Sequence, residues 1–151
     1  MKSARLSENR RLFCAAVLAI AISVPGCAVT LLSSYDETTD KSVTALQRKT
    51  EAHLVALESV DGLPGCELAK HKQYYSEAKV DVSAVAVRAA AIPKNERTTE
   101  QITLLAGSLE DLEKLHRISC FSKAQIAPLR ILLNSQFTSI LKLELAKKRG
   151  E

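Results

Sequence analysis

From Val43 onward, apolar residues recur every three or four positions, the spacing that gathers them on one face of an α-helix, and four such stripes follow one another. The first runs Val43, Leu46, Thr50, Leu54, Leu57 and Val60, and Asp61-Gly62-Leu63-Pro64-Gly65 ends it with turn-forming residues. The second runs Leu68, His71, Tyr75, Ala78, Val82, Val85, Ala89 and Ile92 and stops at Pro93, whose ring disfavours helix in the residue before it. Val82, Val85 and Val87 favour strands, but the alanines at 84, 86, 89, 90 and 91 keep this segment helical. The third stripe holds Ile102, Leu105, Leu109, Leu112, His116 and Ser119, with Thr98 and Gln101 spaced as a capping box. The fourth opens with the same device at Ser122 and Gln125 and carries Ile126, Leu129, Leu133, Phe137, Ile140 and Leu141. Pro128 lies near enough to its start to be accommodated as a kink. Four amphipathic helices with short connections predict an all-α fold, an antiparallel up-down four-helix bundle.

The residues ahead of these stripes follow another logic. Lys2, Arg5, Arg10 and Arg11 precede an uncharged run from Leu12 to Val24, and Pro25-Gly26-Cys27 closes it. As a helix that run is only about 20 Å long, short of a hydrocarbon core of about 30 Å, so it reads as a cleaved signal and not as a permanent span. Val24-Pro25-Gly26-Cys27 resembles the lipobox of bacterial lipoproteins. The resemblance implies removal of residues 1–26, diacylation of the Cys27 sulfur and a fatty acyl group, typically palmitate, on the new amino terminus. Ala28, where an aspartate would favour inner-membrane retention, implies the periplasmic face of the outer membrane. Arg10-Arg11-Leu12-Phe13 also resembles part of a twin-arginine signal, so both general and twin-arginine export stay open. Thr30 to Asp40 has no apolar period, and the expected organisation is a signal peptide over 1–26, a flexible lipid-attached tether over 27–39 and a bundle over 40–151.

Charge changes once the signal is set aside. Residues 1–26 hold four of the 21 Lys and Arg and one of the 17 Asp and Glu, so the remainder carries 17 against 16. That balance gives no basis for nucleic-acid binding. The concentrated positive patch that remains, Lys142 with Lys147-Lys148-Arg149, reads as charge complementing the negative end of a helix dipole. Cys14 leaves with the signal and Cys27 takes lipid, so Cys66 and Cys120 are the remaining pair. They are symmetric about Pro93, and folding the second and third helices at that proline sets them side by side. An oxidising compartment would join them, closing a loop long enough to stabilise the fold by about 4 kcal/mol in the chain-entropy model.

The same folding arithmetic places all three histidines in one layer near that disulfide: His71 opposite position 115, beside His116, and His53 opposite position 73. A three-imidazole site for zinc or copper, with Glu67 or Glu113 behind it, competes there with a layer of buried, hydrogen-bonded histidines. Helix rotation, which sequence does not give, decides between them, and no metal ligand or cofactor is assigned. Glu110, Asp111 and Glu113 read as a solvated face. The sequence lacks a Gly-rich phosphate loop, a Gly-x-Ser-x-Gly elbow and a Cys-x-x-Cys-His haem motif, and no nucleophile, base and orienting group assemble, so an enzyme is not expected.

Tyr35-Asp36 and Thr39-Asp40 ahead of the first helix, the stretch Arg88 to Glu96 and the end from Ile140 to Gly150 resemble small helical lipoproteins of Gram-negative bacteria, a group without an assigned activity. The resemblance implies location only. The leading expectation is a structural or interaction module of the cell envelope, held to the membrane by lipid and docking an envelope protein through helices one and four. The alternative is a binding module for a metal ion or a small apolar ligand within the bundle.

Overall fold

The computed structural model describes residues 33–150, and these form four helices and no strand. They are α1 Glu37–Ser59, α2 Leu68–Ala91, α3 Glu96–Ile118 and α4 Lys123–Gly150. Each helix packs on its chain neighbours and α4 returns to α1, and no diagonal pair brings its backbones this close, so the four stand at the corners of a square. Side-chain bridges give the directions. Arg88 near the end of α2 pairs with Asp36 before α1, Thr98 at the start of α3 bonds Glu144 near the end of α4, and Arg130 early in α4 pairs with Glu51 and Glu58 late in α1. The expected up-down bundle is therefore present.

Its core consists of the apolar stripes. Leu46, Leu54, Leu57, Ile102, Leu105, Leu112, Ile126, Leu133, Phe137 and Ile140 are fully buried. On α2 the inward face is small, Ala78, Val82, Val85 and Ala89, and burial there outweighs the weak strand preference of valine. Where the stripes run off the ends of the core they lose burial: Leu68, Leu129 and Leu141 are half-buried and Ser119 is exposed.

The helix starts differ instructively from expectation. Ser122 and Gln125 form the reciprocal box expected at α4, the Ser122 N–H donating to Gln125 Oε1 at 2.9 Å. Thr98 caps nothing. Helix α3 begins three residues earlier, behind Asn95, and Thr98 lies inside it, fully buried. Helix α1 begins at Glu37 because Asp36 accepts from the Thr39 N–H at 2.9 Å, so the bundle starts ahead of the expected boundary at residue 40. The part of the expected tether from Ser33 on is folded: Ser33 is buried, its N–H donating to the Lys94 carbonyl and its hydroxyl to Asn95. The expected signal peptide, Cys27 and the first part of the expected tether lie outside the described residues.

The end of the bundle that receives the chain is closed by buried polar groups. Glu144 is completely buried and Lys147 nearly so, and their side chains meet at 2.5 Å. The Lys147 ammonium also donates to Thr98 Oγ1 at 2.9 Å and to Asn95 Oδ1, while Glu144 accepts from Thr98 and from the Asp36 N–H. Lys147 thus leaves the expected surface patch and sits in the core, whereas Lys148 stays outside over the Tyr35 ring at 4.9 Å. Burying two charges is offset only when each remaining donor and acceptor is also met, as it is here by Asn95, Thr98 and the Asp36 N–H.

Removing one member of that pair strands the other charge. Glu144→Ala is expected to lose about 3–5 kcal/mol of stability. The double replacement Glu144→Leu with Lys147→Met is expected to recover most of it, measured by urea unfolding. A double variant as unstable as the single one would contradict this role for the pair.

Candidate functional site

At the opposite end of the bundle the three histidines come together. His53 lies on the inward face of α1, His71 and the neighbouring tyrosines in the first turns of α2, and His116 in the last turn of α3. Their ring centroids are 5.2 Å (His53–His71), 5.3 Å (His71–His116) and 6.3 Å (His53–His116) apart. His53 stacks on Tyr74 at 3.7 Å, and Phe121 covers His116 at 5.1 Å. Cys66 and Cys120 are joined beside this layer with their Cα atoms 5.5 Å apart, as folding about Pro93 requires.

The hydrogen bonds assign the tautomers, because backbone carbonyls only accept. The Cys66 carbonyl accepts from His116 Nε2–H at 2.6 Å, which leaves His116 Nδ1 as an acceptor. Tyr75 fills it, donating its hydroxyl at 2.7 Å, and the tyrosine oxygen in turn accepts from His53 Nε2–H at 3.2 Å. His71 Nε2–H donates to the Gly65 carbonyl at 3.1 Å. Three helices and the α1–α2 turn are thereby tied by one chain of bonds running from His53 through Tyr75 and His116 to Cys66. Periodicity placed the histidines but gave no sign of Tyr75 as the group between them; its position in the second apolar stripe, one turn from His71, was the available clue.

This arrangement favours neutral imidazoles. Burial, with the neighbouring His71 and His116 adding to it, pushes His53 down to about 3. His116 is also lowered, chiefly by burial, and the Cys66 carbonyl opposes the shift. Burial pushes the Tyr75 phenol up. The rings converge as the folding arithmetic expected, yet their donors serve Tyr75 and two carbonyls, and among the described residues no three His, Cys, Asp or Glu side chains are grouped to hold a metal ion. The two carboxylates expected behind a metal are engaged elsewhere: Glu67 accepts from the Gly65 N–H at 3.1 Å, and Glu113 pairs with Lys79 and Arg117. Glu110 and Asp111 are exposed, Asp111 pairing with Lys114, as a solvated face requires.

A second feature lies on the outside of the same end. Between the last turn of α3 and the first turns of α4 runs a groove of about 290 Å³, lined by Leu115, Ile118, Phe121, Pro128 and Leu129 with Ser119 and Gln125. Pro128 cannot donate to the Ala124 carbonyl, and its ring forms part of the groove wall. Large apolar side chains surround it in the open: Ile118 is 81% exposed, Ile131 72%, Leu132 49% and Leu115 45%. Leu104, Leu115 and Ile118 on α3 and Ile131, Leu132 and Leu145 on α4 are the larger share of the exposed large apolar residues, against Val80 and Val87 on α2 and Val55 on α1. The sequence did carry a signal for it. From Ala124 to Leu141 the only charged residue is Arg130, and Glu51 and Glu58 draw that guanidinium toward α1.

Compared with protein families, curated proteins and solved structures, the chain matches none, so its function is read from the geometry of its own residues.

The histidine layer gives the fold a pH dependence of known sign. In the unfolded chain histidine titrates near pH 6.5, and in the bundle His53 and His116 titrate lower. The unfolded state therefore takes up more protons as pH falls, and the stability present above about pH 6.5 declines below it. The midpoint of thermal unfolding is expected to be flat above neutrality and to fall between about pH 6.5 and 5, before the carboxylates titrate. His53→Phe should flatten that fall, and Tyr75→Phe should cost about 1–3 kcal/mol by leaving His116 Nδ1 without its donor. Unchanged pH curves in His53→Phe would contradict the assignment.

Proposed function

We propose that this chain is a lipid-anchored helical bundle at the periplasmic face of the outer membrane, where it serves as an interaction module of the cell envelope and performs no chemistry of its own. The observation that carries the reading is the exposed apolar face of α3 and α4 around Ile118, Ile131 and Leu132. Clustered large apolar side chains of this kind mark interaction sites more often than bare surface. The anchor rests on the lipobox-like Val24-Pro25-Gly26-Cys27, and no described helix is long and apolar enough to cross a membrane.

Geometry makes anchor and surface compatible. Ser33 joins the bundle at the α2–α3 turn, where it bonds Lys94 and Asn95. The chain from Cys27 to Ser33 reaches at most about 25 Å, so a lipid on Cys27 keeps that end near the bilayer. The groove lies at the other end of helices about 35 Å long, where a partner can reach it. The histidine layer supports the same reading as a structural clasp, since its donors bond within the bundle. The alternative, a small apolar ligand, has in its favour the same groove of about 290 Å³.

Mass spectrometry of the full-length protein expressed in a Gram-negative host is expected to show a chain starting at lipidated Cys27, and Cys27→Ala should leave the membrane fraction. A specific crosslinked partner of the lipidated form, another envelope protein or a second copy of the chain, should be lost on Ile118→Glu or Ile131→Glu, with the Cys66–Cys120 linkage intact. An unprocessed amino terminus would overturn the anchor, and crosslinking indifferent to both substitutions would overturn the surface.

A further inference from the structure

The α3–α4 face has the properties of a surface that meets a copy of itself. Its exposed positions on α4, Ala124, Gln125, Ala127, Pro128, Ile131, Leu132, Ser135 and Thr138, bear no charge. Arg130, the one cation of this stretch, is held by Glu51 at 2.8 Å and Glu58 at 2.7 Å on the α1 side. Lys123 and Lys142 stand beyond its two ends. On the α3 side Asp111 and Lys114 pair with each other at 2.9 Å, so two copies can bring these faces together without burying an unpaired charge, the usual obstacle to self-association through a helix surface.

Shape agrees with charge. A two-fold interface needs protrusion and hollow on the same patch, because each copy supplies both. Ile118 and Ile131 project almost fully into solvent, and the groove floored by Leu115, Phe121 and Leu129 lies directly beside them. We propose that the lipid-anchored chain forms a two-fold dimer through this α3–α4 face, with isoleucines of each copy seated against the groove of the other. The proposal rests on the interaction reading above and names its partner.

Size and anchoring set the strength and direction of the dimer. A face spanning about 25 Å of α4 and both helix widths buries on the order of 1,000 Å² over two copies, at the lower limit of specific interfaces. Such an interface is weak in dilute solution, but confinement to one membrane raises the effective concentration of each copy for the other. Tethers leaving the same end of both bundles set them side by side and parallel. Like residues then meet at like heights, and Ile131 approaches Ile131.

The test co-expresses full-length chains carrying two different C-terminal tags, captures one from gently solubilised envelopes and measures the other. The wild type is expected to co-capture, Ile118→Glu and Ile131→Glu to reduce this at least about tenfold, and Val80→Glu on the exposed face of α2 to leave it unchanged. Folding is checked by the Cys66–Cys120 linkage and by thermal unfolding. Full-length Ile131→Cys should crosslink to itself with a short bis-maleimide, and Val80→Cys should not. No co-capture by the wild type, or co-capture insensitive to the groove substitutions, overturns the proposal, and co-capture without the Ile131 crosslink overturns the parallel arrangement. Ile131-dependent capture of a defined envelope protein without self-capture would refute the dimer and leave the interaction reading standing; loss of both refutes both.

Discussion

The buried contact between Glu144 and Lys147 decides how the four helices meet. Two ions removed from water are tolerated only in one arrangement, with Thr98 and Asn95 around the ammonium and Thr98 and the Asp36 N–H around the carboxylate. Those partners come from the start of α1, the α2–α3 turn, α3 and α4, so satisfying the pair fixes the heights and rotations of the helices at that end. Apolar stripes alone give a bundle but tolerate sliding and rotation, since leucine against leucine is satisfied at many registers. The polar pair adds a preference for one register.

The other end is held by different chemistry to the same effect. A covalent bridge joins the start of α2 to the end of α3, and the His53–Tyr75–His116 chain ties α1 to both through the Cys66 carbonyl. Three imidazoles in one layer invite a metal interpretation, and hydrogen-bond geometry argues against it here: Nε2–H groups that point at carbonyls and at a phenol oxygen are already satisfied. Satisfied polar groups thus hold one end of the bundle, and a covalent bridge with a hydrogen-bonded layer holds the other.

Much of this was legible in the chain. Stripes of period three and four placed every fully buried leucine and isoleucine, and the symmetry of Cys66 and Cys120 about Pro93 located both the disulfide and the histidine layer. What escaped did so for physical reasons. Lys147 followed Phe137, Ile140 and Glu144 at core spacing, but a lysine beside Lys148 and Arg149 reads as surface unless its carboxylate partner is known to be buried too. Thr98 resembled a cap because capping and core-facing threonines differ only in helix rotation, which tertiary packing sets. The same ignorance of rotation hid the role of Tyr75.

On the proposed reading the α3–α4 face is covered when the protein is at its working site. Hydroxyl-radical footprinting compares the full-length protein in intact envelopes with the same protein purified and dilute. Expected is protection of Ile118, Ile131 and Leu132 in envelopes and their exposure after dilution, with Val80 and Val87 on α2 reactive in both. Equal reactivity of Ile118, Ile131 and Leu132 in the two states would contradict it.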